Sequence, residues 1–96
     1  ALYPAIGHRV VYPTLGLAGE AAEIAHKVKK IFRDDEGEIT EEKLAAIHKE
    51  LGDVLWYVSQ VANELDLDLD KIAQDNLDKL QSRKKRGKLI GDGDNR

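Results

Sequence analysis

Two stretches of this chain, about Thr14 to Phe32 and Thr40 to Leu65, repeat apolar residues at helical spacing, and each sets a pair of acids at the same margin of its apolar stripe. With Glu20 at zero on the first stretch, Ile31, Ile24, Leu17 and Val28 fall at roughly 20°, 40°, 60° and 80°, Lys27 at roughly −20° and Glu23 at roughly −60°. With Glu50 at zero on the second, Val61, Val54, Ile47, Val58 and Leu51 climb in the same way from roughly 20° to 100°, Tyr57 falls at roughly −20° and Asp53 at roughly −60°. A solvated acidic face would lie opposite the stripe. Acids that border it in matching phase on two helices can meet along one edge of the seam once the stripes pack. The pattern therefore predicts an all-α fold with Glu20, Glu23, Glu50 and Asp53 brought together.

The rest of the chain fits around those two helices. Residues 1–13 carry two prolines, a glycine and no clear period, and read as an N-terminal loop. Thr14 is placed to cap the first helix, and the polar, glycine-containing run Arg33 to Ile39 to connect it to the second. Thr40 followed by Glu41 and Glu42 is a strong helix start, a capping hydroxyl with acids near the positive dipole end. Leu65 to Asp70 alternates like a strand, but it is short, lacks a partner and lies between helix patterns, so it reads as a turn with Asp68 as a cap. Its D-x-D-x-D is not a calcium loop, because Lys71 stands where that loop needs glycine and Leu77 where it needs glutamate. A third helix spans about Leu69 to Arg86 and ends at Gly87. Residues 87–96 form a glycine-rich polar tail.

With 96 residues, one domain over 1–96 is the natural expectation. A chain this short buries only roughly 60–65% of its unfolded surface, so a bundle of about three to four helices per subunit, completed by oligomerisation, is expected. There is no cysteine, which excludes disulfides, thiolate metal sites and cysteine nucleophiles and fits a cytoplasmic location. A net charge of −3 argues against non-specific nucleic-acid binding. No apolar run approaches the ~18 residues of a membrane span. There is no methionine either, and the chain reads as starting part-way into its natural protein.

Four carboxylates gathered by two helices repel one another unless a cation sits between them. All-oxygen, acidic donor sets suit hard divalent ions. The third helix adds a different strip. With Asn76 at zero, Lys79 and Arg83 fall at roughly −60° and −20°, beside Ala73, Leu77 and Leu80 at roughly 40° to 100°. An acidic metal cluster together with an amide and cations is what a metal-bound polyphosphate requires. Lys27 and Lys30 share the acidic face of the first helix and are further phosphate candidates, although Lys27 also suits an i,i+4 pair with Glu23. Tyr57, on the acidic margin, is a candidate nucleotide contact. Trp56, at roughly −120° from Glu50, points to core or subunit packing.

These residues resemble the MazG-like nucleotide pyrophosphohydrolases, all-α enzymes related to the dimeric dUTPases. The resemblance rests on Gly19-Glu20-Ala21-Ala22-Glu23, on Glu50-Leu51-Gly52-Asp53-Val54-Leu55, and on Asn76, Lys79 and Arg83 of the third helix, and it covers about residues 14–88. Gly16-Leu17-Ala18-Gly19-Glu20 and the Gly91-Asp92-Gly93-Asp94-Asn95-Arg96 tail look most like short phage-type or stand-alone members. The resemblance implies hydrolysis of a nucleoside triphosphate, with deoxynucleoside triphosphates the expected class, at the α–β bond to give a monophosphate and pyrophosphate. It implies Mg²⁺ held by Glu20, Glu23, Glu50 and Asp53, and a homodimer or homotetramer with sites at or near subunit interfaces. Glu20 and Glu23 are equal candidates for the base that activates water. Family members usually carry a helix ahead of the first acidic one, where this chain has a short loop.

Two other readings start from the same residues. A helical oligomer could bind nucleotide or metal as a regulator without turnover. Glu23-x-x-His26 matches half of a di-iron carboxylate signature, but such bundles need a second E-x-x-H, and here the second motif is Glu50-x-x-Asp53. His8, His26 and His48 share no spacing and read as surface residues.

Overall fold

The computed structural model describes residues 7–34 and 36–90, with side chains as far as Gly87. These residues form three α-helices and no strand: α1 (Val11–Asp34), α2 (Glu41–Glu64) and α3 (Leu69–Ile90). The all-α expectation holds, and in the alternating run at 65–70 residues 65–68 form the connection while Leu69 and Asp70 open α3.

The helix boundaries follow local chemistry. α1 begins ahead of the expected cap, and the Thr14 amide donates to the Val10 carbonyl at 3.1 Å as part of the helix. Pro13 is what made this region read as loop. In the first helical turn, however, its missing N–H removes a donor that would have no intrahelical partner anyway. Its ring is fully buried. At the other end the Gly37 amide reaches back to the Ile31 carbonyl at 3.0 Å, with Gly37 at φ 79°. This six-residue closure and left-handed glycine form a helix stop that caps otherwise unpaired carbonyls. Pro4 and the other residues of 1–6, like the expected tail residues 91–96, lie outside the described residues.

Thr40 caps α2 as expected, its Oγ1 accepting from the Lys43 amide at 3.3 Å. We expect Thr40→Ala to lower stability by about 1 kcal/mol and Thr40→Ser to keep most of it, read from urea denaturation midpoints. α2 ends at Leu65, whose amide donates to the carbonyls of Val61 and Ala62, both at 3.2 Å. Asp66 then takes a left-handed φ of 55°. Asp68 starts α3, its Oδ1 accepting from the amides of Asp70 at 2.9 Å and Lys71 at 3.3 Å. α3 does not stop at Gly87 but runs through it to Ile90. A helical glycine costs only about 1 kcal/mol, and its neighbours Arg86, Lys88 and Leu89 are good helix formers.

The chain divides into two compact units between Leu65 and Asp66. In the first, α1 and α2 pack against each other as an antiparallel hairpin. Gly16 meets Tyr57, Glu20 meets Glu50 and Asp53, and Lys27 shares a cleft with Ala46, so residues advance along α1 as they recede along α2. The core is thin. Pro13, Ile31 and Ala62 are the buried residues among those described, while Leu44, Leu51 and Leu55 on α2 stay 57%, 49% and 69% exposed. The apolar sector of α2 is thus wider than one partner helix covers. The second unit is built on α3, an amphipathic helix that also leaves Ile72, Leu77 and Leu80 exposed.

Candidate functional site

The acids that share a phase on the two helical wheels converge. Glu20 on α1 and Glu50 and Asp53 on α2 each present a carboxylate oxygen within 4.8 Å of the others. Helical spacing accounts for this: residues three apart share a face, and the antiparallel seam sets that face of α2 against the one carrying Glu20. Glu20 and Glu50 are partly shielded and Asp53 is exposed. Among the described residues no other three histidines or acids gather at metal-ligand spacing.

Close packing of like charges leaves two marks. Glu20 is pushed up from 4.5 to about 7, first by a side-chain hydrogen bond with Glu50, then by burial, then by the charges of Glu50, Asp53 and Glu23. Glu50 Oε2 is buried with no hydrogen-bond partner. A buried carboxylate oxygen without a donor is costly, and a cation satisfies it as well as a proton does. Three convergent carboxylates with one orphaned oxygen therefore fit a hard divalent ion, whereas the exposed His26 stands outside the group, which disfavours a di-iron centre.

The sign of the resulting pH dependence follows. The folded protein holds the Glu20 proton up to about pH 7, whereas the unfolded chain loses it near 4.5. Folding is therefore favoured by this group at low pH, and its contribution is lost as pH rises from 4.5 through 7. Without divalent ions, thermal melts across that window should fall more steeply for the native protein than for Glu20→Gln. Adding Mg²⁺ should restore the native protein most at the high-pH end, where the cation no longer competes with the proton. Parallel melting curves for the two proteins would contradict the close Glu20–Glu50 contact.

Glu23 is set apart from the other three. Its side chain is 57% exposed and pairs with Lys27 Nζ at 3.9 Å across one helical turn. It is still near enough for its charge to raise Glu20. Tyr57 lies one turn beyond Asp53, with its ring pressed on the Gly16 backbone and edge-on to Trp56, centroids 5.0 Å apart. Trp56 itself is 40% exposed rather than buried in a core. Lys27 and Lys30 line a cleft of ≈ 300 Å³ between α1 and α2, over Ile31, Ala46 and Ile47. The same cleft is lined by Lys43, which the reading of the sequence passed over. The signal for it was present, since Lys43 falls at roughly +20° from Glu50, in the same strip two turns earlier. In the second unit, Asn76 and Lys79 line one shallow depression on α3 with Ile72 and Asp75. Arg83, one turn further, has a buried Nε with no hydrogen-bond partner.

Comparison with known proteins places these features in a family. Residues 13–87 match the family model described as MazG nucleotide pyrophosphohydrolase domain. The chain is similar to the Gene 37 protein of Mycobacterium phage L5, 54% identical over an alignment that covers 100% of this chain and 89% of that protein. No solved structure matches the chain.

Proposed function

The chain belongs to the MazG nucleotide pyrophosphohydrolase family, hydrolases of phosphoric anhydrides, and from that premise we propose that it cleaves a nucleoside triphosphate, preferentially a deoxynucleoside triphosphate, between the α and β phosphates with the help of Mg²⁺. The observation that carries this reading is the meeting of carboxylate oxygens of Glu20, Glu50 and Asp53 within 4.8 Å of one another, together with a buried Glu50 Oε2 that has no hydrogen-bond partner.

In this reading Glu20, Glu50 and Asp53 hold the metal, with Mn²⁺ a workable substitute. The bound ion supplies charge neutralisation at the phosphate oxygens and a more acidic water. The protein's own groups do the rest. Glu23 stands one turn from the trio and is the least committed of the four acids, so it is the proposed acceptor of the proton from the attacking water. This narrows the four-ligand expectation to three ligands and a base. Glu23→Gln should then lower kcat while leaving metal affinity nearly unchanged, and Glu20→Gln or Asp53→Asn should weaken metal binding itself. Lys27 and Lys30 are proposed to neutralise phosphate charge from the adjoining cleft, and Tyr57 to contact the nucleoside. On α3, Asn76, Lys79 and Arg83 are proposed phosphate contacts, because one amide and two cations suit a polyanion and the orphan Arg83 Nε gains an acceptor.

We further propose a homodimer or homotetramer, working in the cytoplasm on free nucleotides rather than on nucleic acid or at a membrane. The exposed Leu44, Leu51 and Leu55 support self-association, since the thin core leaves this stripe for another surface to cover. No described helix is long and apolar enough to cross a membrane. The deciding experiment is a Mg²⁺-dependent pyrophosphate-release screen over the common and modified NTPs and dNTPs, with light scattering to give the oligomeric state. Pyrophosphate release with at least one substrate supports the reading. Binding without release from any of them would turn the protein into a nucleotide-binding oligomer.

A further inference from the structure

We propose that two copies of this chain pair through the face of the α1–α2 hairpin that lies opposite the acids, with a twofold axis running along the helices. The inference rests on the self-association proposed above and goes beyond it by naming both halves of the interface and their symmetry.

Three observations carry it. First, the hairpin has a second apolar face. On α2, Leu51, Leu44, Leu55 and His48 fall at roughly 100° to 160° from Glu50, past the seam stripe and away from the acids. On α1, Val28, Ala21, Ala25 and Ala18 fall at roughly 80° to 160° from Glu20, in the same relation. All of these residues are exposed. The acids border the other side of the seam, so a partner seated on this face leaves them open to substrate.

Second, the face is a step. Gly16 is level with Tyr57, and Lys27 with Ala46, which fixes the register of the seam. On that register Leu55 stands level with Ala18, Leu51 with Ala21, His48 with Ala25 and Leu44 with Val28. The larger side chain is on α2 every time. A twofold axis along the helices keeps each level and sets the high α2 of one copy on the low α1 of the other. Leu55, Leu51 and Leu44 then meet Ala18, Ala21 and Val28 of the partner subunit. Large against small at facing positions fills an interface to interior density. A twofold axis across the helices would instead stack leucine on leucine and leave the alanines over a gap. Between Leu44 and Leu51 lies an open hollow of ≈ 550 Å³, lined also by Ala45, Ile47 and His48, at the level of the partner's Ala25.

Third, area and charge suit a second copy. Each helix has 24 residues. Two such helices side by side, each about 36 Å long, offer a face of about 700 Å², close to the roughly 800 Å² per partner of a stable interface. At the rim, the exposed Lys29 on α1 and Glu41 on α2 both fall at roughly 180° on their wheels, about one turn apart in level. The same axis brings Lys29 near Glu41 of the partner subunit, and it does so twice.

The test uses cysteine cross-linking, because the chain has no cysteine of its own. Ala21→Cys and Leu51→Cys, made as single variants and refolded together, should under mild oxidation give a disulfide joining the two different chains, identified by mass spectrometry. Neither variant alone should cross-link, since like positions lie diagonally across the bundle, beyond the ~7 Å between Cα atoms that a disulfide spans. Sedimentation equilibrium adds a size exchange. Leu51→Ala and Ala21→Leu should each raise the dimer dissociation constant about a hundredfold, because each contact occurs twice. The double variant, which swaps the sizes, should return to within about tenfold of the native protein. Both positions are exposed in the single chain, so circular dichroism should show native helix content throughout. A disulfide within either variant alone, a native oligomer that yields no mixed disulfide, or a double variant weaker than both singles overturns the arrangement. The two readings fail separately. A native protein that light scattering finds monomeric removes self-association itself. An oligomer indifferent to these substitutions removes this face and keeps the oligomer.

Discussion

Glu50→Gln is expected to reduce Mg²⁺-dependent pyrophosphate release at least about a thousandfold, equivalent to roughly 4 kcal/mol of barrier. The substitution is nearly isosteric, so what it removes is charge. Glu50 is the hub of the acidic group: it shares a hydrogen bond with Glu20, lies within 4.8 Å of both other acids and has an orphaned, buried Oε2. A glutamine amide can donate to Glu20 where the native carboxylate competes for a proton. The variant should therefore melt, without metal, at the native temperature or above it. The native protein should gain about 2.7 kcal/mol at a Mg²⁺ concentration one hundred times its dissociation constant, and the variant should gain almost nothing. Loss of activity with unchanged metal-free stability marks a functional carboxylate. Activity that survives, with the protein folded, would remove these three acids from the chemistry.

The second large effect is at Gly16. A Cβ built there would lie 2.4 Å from Tyr57 Cε1 and 2.5 Å from Cζ, far inside contact distance. Gly16→Leu therefore has to push α1 away from α2 or drive out the Tyr57 ring. We expect it to cost about 3 kcal/mol, the upper range for overpacking, against a total stability of about 5–15 kcal/mol for a typical domain. Because Gly16 is one turn from Glu20 and Tyr57 one turn from Asp53, the same displacement opens the acidic group and should lower metal affinity. Gly19 is the internal control. A Cβ there meets nothing within 4 Å, so Gly19→Ala should stabilise by up to about 1 kcal/mol through helix propensity alone. Urea denaturation of the pair gives opposite signs if the seam is as described. Equal shifts would place Gly16 on an open face.

What could be read from the chain were the features set by short-range rules. Helical spacing of apolar residues determined two long helices, the Thr40 hydroxyl and Asp68 carboxylate determined two helix starts, and a common phase of acids against the stripe predicted a meeting of Glu20, Glu23, Glu50 and Asp53, of which Glu20, Glu50 and Asp53 converge. Where local rules competed, the more obvious signal was outweighed. Pro13 was a loop signal that the first helical turn absorbs, and Gly87 a stop signal that its helix-forming neighbours outweigh. Other features depended on the partner helix, and only tertiary structure decided them. Whether Glu23 joins the trio turns on its own 100° steps around α1 relative to the face that α2 covers. Likewise an added Cβ would clash at Gly16 and meet nothing at Gly19 only because Tyr57 lies across one of them. Lys27, Lys30 and Lys43 become a single cleft only when an antiparallel seam brings together residues far apart in the chain. Periodicity specifies which face a side chain takes. The register between two helices specifies what it meets there, and that is a property of packing rather than of any one segment.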